Sequence, residues 1–181
     1  APRSRGDIDS QQEAKIALLQ PFVPHTMASW LAARRVDEWP IVGELRRAVV
    51  VCMHVWGLDE GRPRTDEAVE ISRSLLRTYN KFGGLVVRSE LADRGHRITV
   101  VFGLHKPLAN ESERALLSSL EAAARIRALG SRGDPPVHIA SAACAGRLYV
   151  GVVGAKARHE LAVVGEAVNL AARLAVTAEP F

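Results

Sequence analysis

Residues 145–174 read AGRLYVGVVGAKARHELAVVGEAVNLAARL, and the reading of this stretch decides the fold. Val150, Val152 and Val153 surround Gly151 and Gly154, a short β-rich run broken by residues that allow close backbone approach. A second apolar run, Leu161 to Val164, ends at Gly165. Glu166 then opens a helix whose buried side is predicted at Val168, Leu170, Ala171 and Leu174. The expected order is strand, tight turn at Gly151–Gly154, strand, turn, helix. Asn169 and Arg173 stand one helical turn apart and share a face. A carboxamide beside a permanently charged guanidinium can hold a sugar oxygen and a phosphate together. Spacing alone favours the plainer reading of a solvated surface pair.

Outward from this stretch, 181 residues make one domain with room for a proper core and an N-terminal extension. Hydrophobic content of 48% and charged content of 24% are those of a globular chain. No apolar run approaches the roughly 18–20 residues that span a bilayer, and no signal-peptide pattern opens the chain. Cys52 and Cys144 sit in apolar, strand-like contexts without metal-type spacing, which predicts buried free thiols in a reducing cytoplasm. The net charge of +4 comes mainly from arginines that are not interleaved with exposed aromatics, so no nucleic-acid surface and no membrane contact are expected.

Residues 1–45 read as an extension with helical runs at Ser10–Leu19 and Thr26–Val36, split by Pro21 and Pro24. Residues 46–181 read as the domain. Ala48 to Trp56 is a continuous apolar run, as for a central strand covered on both faces. Thr65 is the expected N-cap of a helix that runs to about Lys81 and stops at Gly83-Gly84. Leu85–Ala92 and His96–Phe102 flank the turn Asp93-Arg94-Gly95 as a hairpin. Asn110 with Glu113 forms a capping-box pattern opening a helix to about Leu129, and Val137–Ala143 is a further strand. The order predicts an α+β, ferredoxin-like split βαβ sheet with helices on one face.

The string Gly151-x-Val153-Gly154 followed by Val164-Gly165-Glu166-Ala167-Val168-Asn169 and Ala172-Arg173 resembles the signature of class III nucleotide cyclases. It is most similar to the second domain of tandem soluble adenylyl cyclases. That family continues with further strands past the third helix, so the resemblance implies a chain missing its last part. It also implies that Asn169 orients the ribose and Arg173 stabilises the transferring α-phosphate. Two positions that read adenine would be Arg88, where the family has Lys, and Ala162, where it has Asp or Thr. ATP is favoured through Arg88 only.

Cyclisation in the family uses two divalent ions held by two carboxylates. His54, in Met53-His54-Val55-Trp56-Gly57-Leu58, and His96, after Gly95, hold those two places here. Magnesium prefers hard oxygen ligands, so no metal is expected on this chain alone, with Mg or Mn supplied only through a partner domain. A zinc or nickel site on the two histidines is the alternative to paired substitution. The resemblance therefore implies a degenerate half of an adenylate cyclase, working as a homo- or heterodimer with another cyclase homology domain. The alternative is a non-catalytic pairing or regulatory module. Lys156, Arg158 and His159 form a turn that could approach phosphates or be plainly solvated, and His25, His105 and His138 read as structural.

Overall fold

A 13-residue strand, β1 (Glu44–Trp56), runs through the middle of the sheet, and its apolar run dictates what surrounds it. Alternate side chains point to opposite faces of a strand. Val49, Val51, Met53 and Val55 therefore enter one core, while Ala48, Val50 and Cys52 enter another. The computed structural model describes residues 43–58, 64–93, 95–104, 109–130, 135–155 and 158–181, with Lys15, Ala17 and Leu18. The chain divides into two units, Ala1–Trp39 and Pro40–Phe181. In the first, Lys15, Ala17 and Leu18 are helical. The rest of the Ser10–Leu19 run, the Thr26–Val36 run, His25, His105, Lys156 and the side chains of Arg158 and His159 lie outside the described residues.

After β1 come α1 (Thr65–Phe82), β2 (Leu85–Ala92), β3 (Gly95–Phe102), α2 (Glu111–Gly130), β4 (His138–Ala155), β5 (Arg158–Val164) and α3 (Glu166–Thr177). The sheet is antiparallel in the order β2-β3-β1-β4-β5, and its first four strands have the ferredoxin-like split βαβ arrangement. α1 and α2 cover the face built from Val49, Val51, Ile98, Val100 and Phe102. α3 covers the other face, over Ala48, Val50, Val101 and Leu148. This corrects the expectation of helices on one face. A strand apolar on both sides leaves a second surface to cover, at about 1.5–3 kcal/mol for each large side chain buried, and α3 covers it.

Local signals held where backbone geometry fixed them. Gly83 ends α1 in the left-handed conformation (φ 83°) and its N–H bonds back to the Asn80 carbonyl at 3.0 Å. Gly95, at φ 82°, closes the β2–β3 turn. Caps were shifted: Arg64, not Thr65, stands at the N-cap of α1. Its guanidinium bonds to Glu67 and donates to the Gly57 and Pro135 carbonyls at 3.0 and 2.6 Å, tying the helix start to two loops. Asn110 precedes α2 at φ 59°, outside the extended backbone of a capping box, and its carbonyl accepts from Arg114.

The expected turn at Gly151–Gly154 is strand. β4 runs unbroken for 18 residues, and Gly151 and Gly154 pair with Ala162 and His159 of β5. Gly151 makes room for a neighbour rather than ending the strand: a Cβ there would stand 2.7 Å from the Gly43 Cα.

Candidate functional site

α3, one face of β5 and the edge of the β2–β3 hairpin border the same side of the sheet, and between them is a cleft of about 140 Å3. β2 and β3 contribute Val87, Arg88, Arg97 and Thr99; β5 contributes Leu161 and Val163; α3 contributes Val168, Asn169 and Ala172. The β2–β3 register shifts between Val86 and Arg88. That bulge lets both Val87 and Arg88 reach the cleft, where strict alternation would send one of them away.

Of the sequence-predicted residues, Arg88 and Asn169 meet in this cleft. Arg173 lies one turn beyond Asn169 on the exposed side of α3, and no ion pair engages it among the described residues. Ala162 is not in the cleft: Leu161 and Val163 line it, and alternation turns Ala162 to the other side of β5. The buried side of α3 is the predicted one only in part. Ala171 is buried and Val168 packs against the core as expected, whereas Leu170 and Leu174 are exposed and Ala167 and Ala175 are buried instead.

His54 and His96 do not converge. His54, 1% exposed, is opposite Arg97 of β3 and Ala140 of β4, on the cleft-side face. His96 is opposite Val55 on the α1/α2 face, and its Nε2 lies 2.8 Å from the Ser89 hydroxyl. The zinc or nickel alternative required them on one face. Among the described residues, no three His, Cys, Asp or Glu side chains cluster as metal ligands. The carboxylate nearest the cleft floor, Glu90, is taken up by Arg97, whose Nε and Nη2 donate to it at 3.0 and 2.6 Å. This hydrogen bonding, aided by the charges of Arg97 and Arg88, holds the Glu90 carboxyl below its ordinary range. Among the described residues around this cleft, no carboxylate pair stands where two divalent ions would need it.

Arg97, Thr99 and Glu90 were missed in the sequence. A signal existed: along Arg97-Ile98-Thr99-Val100-Val101-Phe102 the polar residues recur every second position, marking a side of β3 that is not plain core. The larger groove, of about 780 Å3, runs along the outside of α1 and α2 past Arg73, Arg77 and Arg125, away from the sheet.

No known family profile matches the chain. Uncharacterized proteins of Mycobacterium tuberculosis strain H37Rv and Mycobacterium bovis are 30% identical over 161 residues, 84% of this chain. The chain spans 28% of the length of these relatives. Among solved structures, the adenylyl cyclase CyaB from P. aeruginosa superposes with a TM-score of 0.67 at 20% identity, covering 77% of this chain and 76% of that one. A bacterial light-regulated adenylyl cyclase gives 0.73 at 15% identity, covering 93% of this chain and 50% of that one. The non-canonical dimeric guanylyl cyclase domain of the RhoGC fusion protein from the fungus Blastocladiella emersonii gives 0.62 at 18% identity, covering 77% and 79%. The fold is that of a class III nucleotide cyclase catalytic domain.

Proposed function

We propose that this chain is the second-type half of a class III adenylate cyclase, acting in the conversion of ATP to cyclic AMP and pyrophosphate. It lends Asn169 and Arg173 to a partner domain that carries the metal carboxylates. The observation that supports this most is the juxtaposition of Arg88 and Asn169 in one cleft, with Arg173 exposed a turn further along α3. In this reading the base enters against the apolar wall of Leu161, Val163 and Val168, with Arg88 at its edge. The Asn169 carboxamide holds the ribose, and the Arg173 guanidinium projects past the cleft to a phosphate across the pairing surface. Divalent ions bound by the partner would neutralise the triphosphate; this chain binds and orients. Residues 46–181 carry these groups, and residues 1–45 form a connector.

The test is reconstitution. Alone, with magnesium or manganese, the chain is expected to form no cyclic nucleotide. Paired with a cyclase domain bearing both aspartates it is expected to turn over ATP, and Arg173→Ala should lower that turnover about a hundredfold or more, as for loss of one transition-state donor. Near-normal turnover by the mutant pair would make Arg173 an ordinary surface charge. A second reading, a pairing module without catalysis, is favoured by the burial of His54 against Arg97, which fills the acid position rather than leaving it vacant. It predicts pairing without turnover under every metal.

A further inference from the structure

The polar lining of the cleft is Arg88, Arg97, Thr99 and Asn169, and two of the four are guanidinium groups that donate and never accept hydrogen bonds. Glu90 occupies Nε and Nη2 of Arg97, which fixes the fork in place. Nη1 makes no hydrogen bond to any described residue. Arg88 comes only within 4.0 Å of the same carboxylate. Glu90 itself does not line the cleft, and no described residue offers a carboxylate to a ligand there. The remaining walls, Leu161, Val163 and Val168, are apolar and suit the face of a flat ring.

Adenine presents an amino donor beside its N7 acceptor, and an arginine fork leaves that donor unmatched. Guanine presents two acceptors there, O6 and N7. Nη1 and the second N–H of Nη2 can meet them with two parallel hydrogen bonds while Nε and the first N–H of Nη2 stay on Glu90. We infer that Arg97 is a specificity-determining residue of the cleft and that, with Arg88, it selects the O6/N7 edge of guanine over adenine. The inference rests on the nucleotide-domain reading above but replaces its sequence-based preference for ATP. Arg97 acts by touching the base, and Glu90 acts through Arg97 as a positioning residue.

The experiment measures the affinity of GTP and ATP, by calorimetry, for the full chain alone and for the chain paired with an acid-bearing cyclase domain. GTP is expected to bind about tenfold or more tightly than ATP, the discrimination of one good bidentate contact. Arg97→Ala should bring the ratio close to one. Arg97→Lys, which keeps the charge but loses the fork, should retain only part of it. A purely structural role for Arg97 would weaken both nucleotides equally and leave the ratio unchanged, which overturns the inference. Equal or tighter binding of ATP by the unaltered chain also overturns it, while leaving the nucleotide-domain reading intact. If neither nucleotide binds, alone or paired, the reading beneath it fails as well.

Discussion

Arg97 and His54 face each other across the β1–β3 ladder, so a guanidinium lies beside the position where the cyclase pattern places a metal-binding acid. Cys52, two residues before His54 and on the same face, is buried under α3. Desolvation pushes its thiol from 9.0 up to about 11, against the lesser pull of the Arg97 charge. The folded state therefore holds this proton more tightly than the unfolded chain does. Stability contributed by the neutral thiol is complete below pH 9 and is lost as the pH rises through 11, on the order of 2 kcal/mol in all. Tyr79, also pushed up by burial, adds a loss of the same sign at still higher pH. Denaturant midpoints measured from pH 8 to 11 should fall, and Cys52→Ala should flatten the first part of that fall. An unchanged curve in the variant would show that Cys52 titrates the same way folded and unfolded.

Elements meet most tightly where Gly146 of β4 passes beneath α3, since a Cβ there would stand 2.8 Å from the Ala167 Cβ. Replacing a strand glycine by alanine gains about 0.5–1 kcal/mol of backbone entropy, enough to mask a small clash. Valine removes that ambiguity. Gly146→Val should cost about 1–3 kcal/mol in urea unfolding and displace the helix that carries Asn169 and Arg173. Unchanged stability would mean that α3 is not seated where described. The same contact shows what the sequence could and could not reveal. Strand β1, the β2–β3 hairpin, the end of α1 at Gly83 and the start of α3 after Gly165 were legible, because apolar run length and glycine conformation are local properties. The seat of α3 was legible only in part, at Ala171 and Val168, because its inner face also read as including the large residues Leu170 and Leu174. The fully buried residues are the small Ala167, Ala171 and Ala175, as a sheet approached this closely requires. Gly151 and Gly154 misled in the opposite direction: read as a turn, they are strand positions, Gly151 making room for Gly43, and nothing local separates those uses. Arg88 and Asn169 could be named from a motif. Their meeting with Arg97 and Thr99 depends on a bulge and on strand pairings distant in sequence, which no short pattern encodes.

At the scale of the molecule, the side of α3 that carries Asn169 and Arg173 faces outward. Val164, Leu170 and Leu174, exposed at 58%, 43% and 44%, lie on or just before the helix that presents Arg173. No helix among the described residues is long and apolar enough to cross a membrane. We expect the chain to pair, with itself or with another cyclase homology domain, through an interface in the usual range of about 1,200–2,000 Å2. Sedimentation at high concentration should show a dimer or a bound partner domain; a strict monomer with no such binding would count against both functional readings. The alanine seat of α3 has one more consequence. α1 keys into the sheet through Ile71, Leu75 and Tyr79, whereas the fully buried contacts of α3 are alanine methyl groups. A helix held by interlocking side chains must unpack to move, but one seated mainly on alanines, with Val168 at its margin, can glide more easily, the shear type of displacement. Asn169 and Arg173 thus ride on a slide whose travel is resisted by little side-chain interlock. In native-state hydrogen exchange the amides of α3 should open at lower free energy than those of α1 and slow when a partner domain is added.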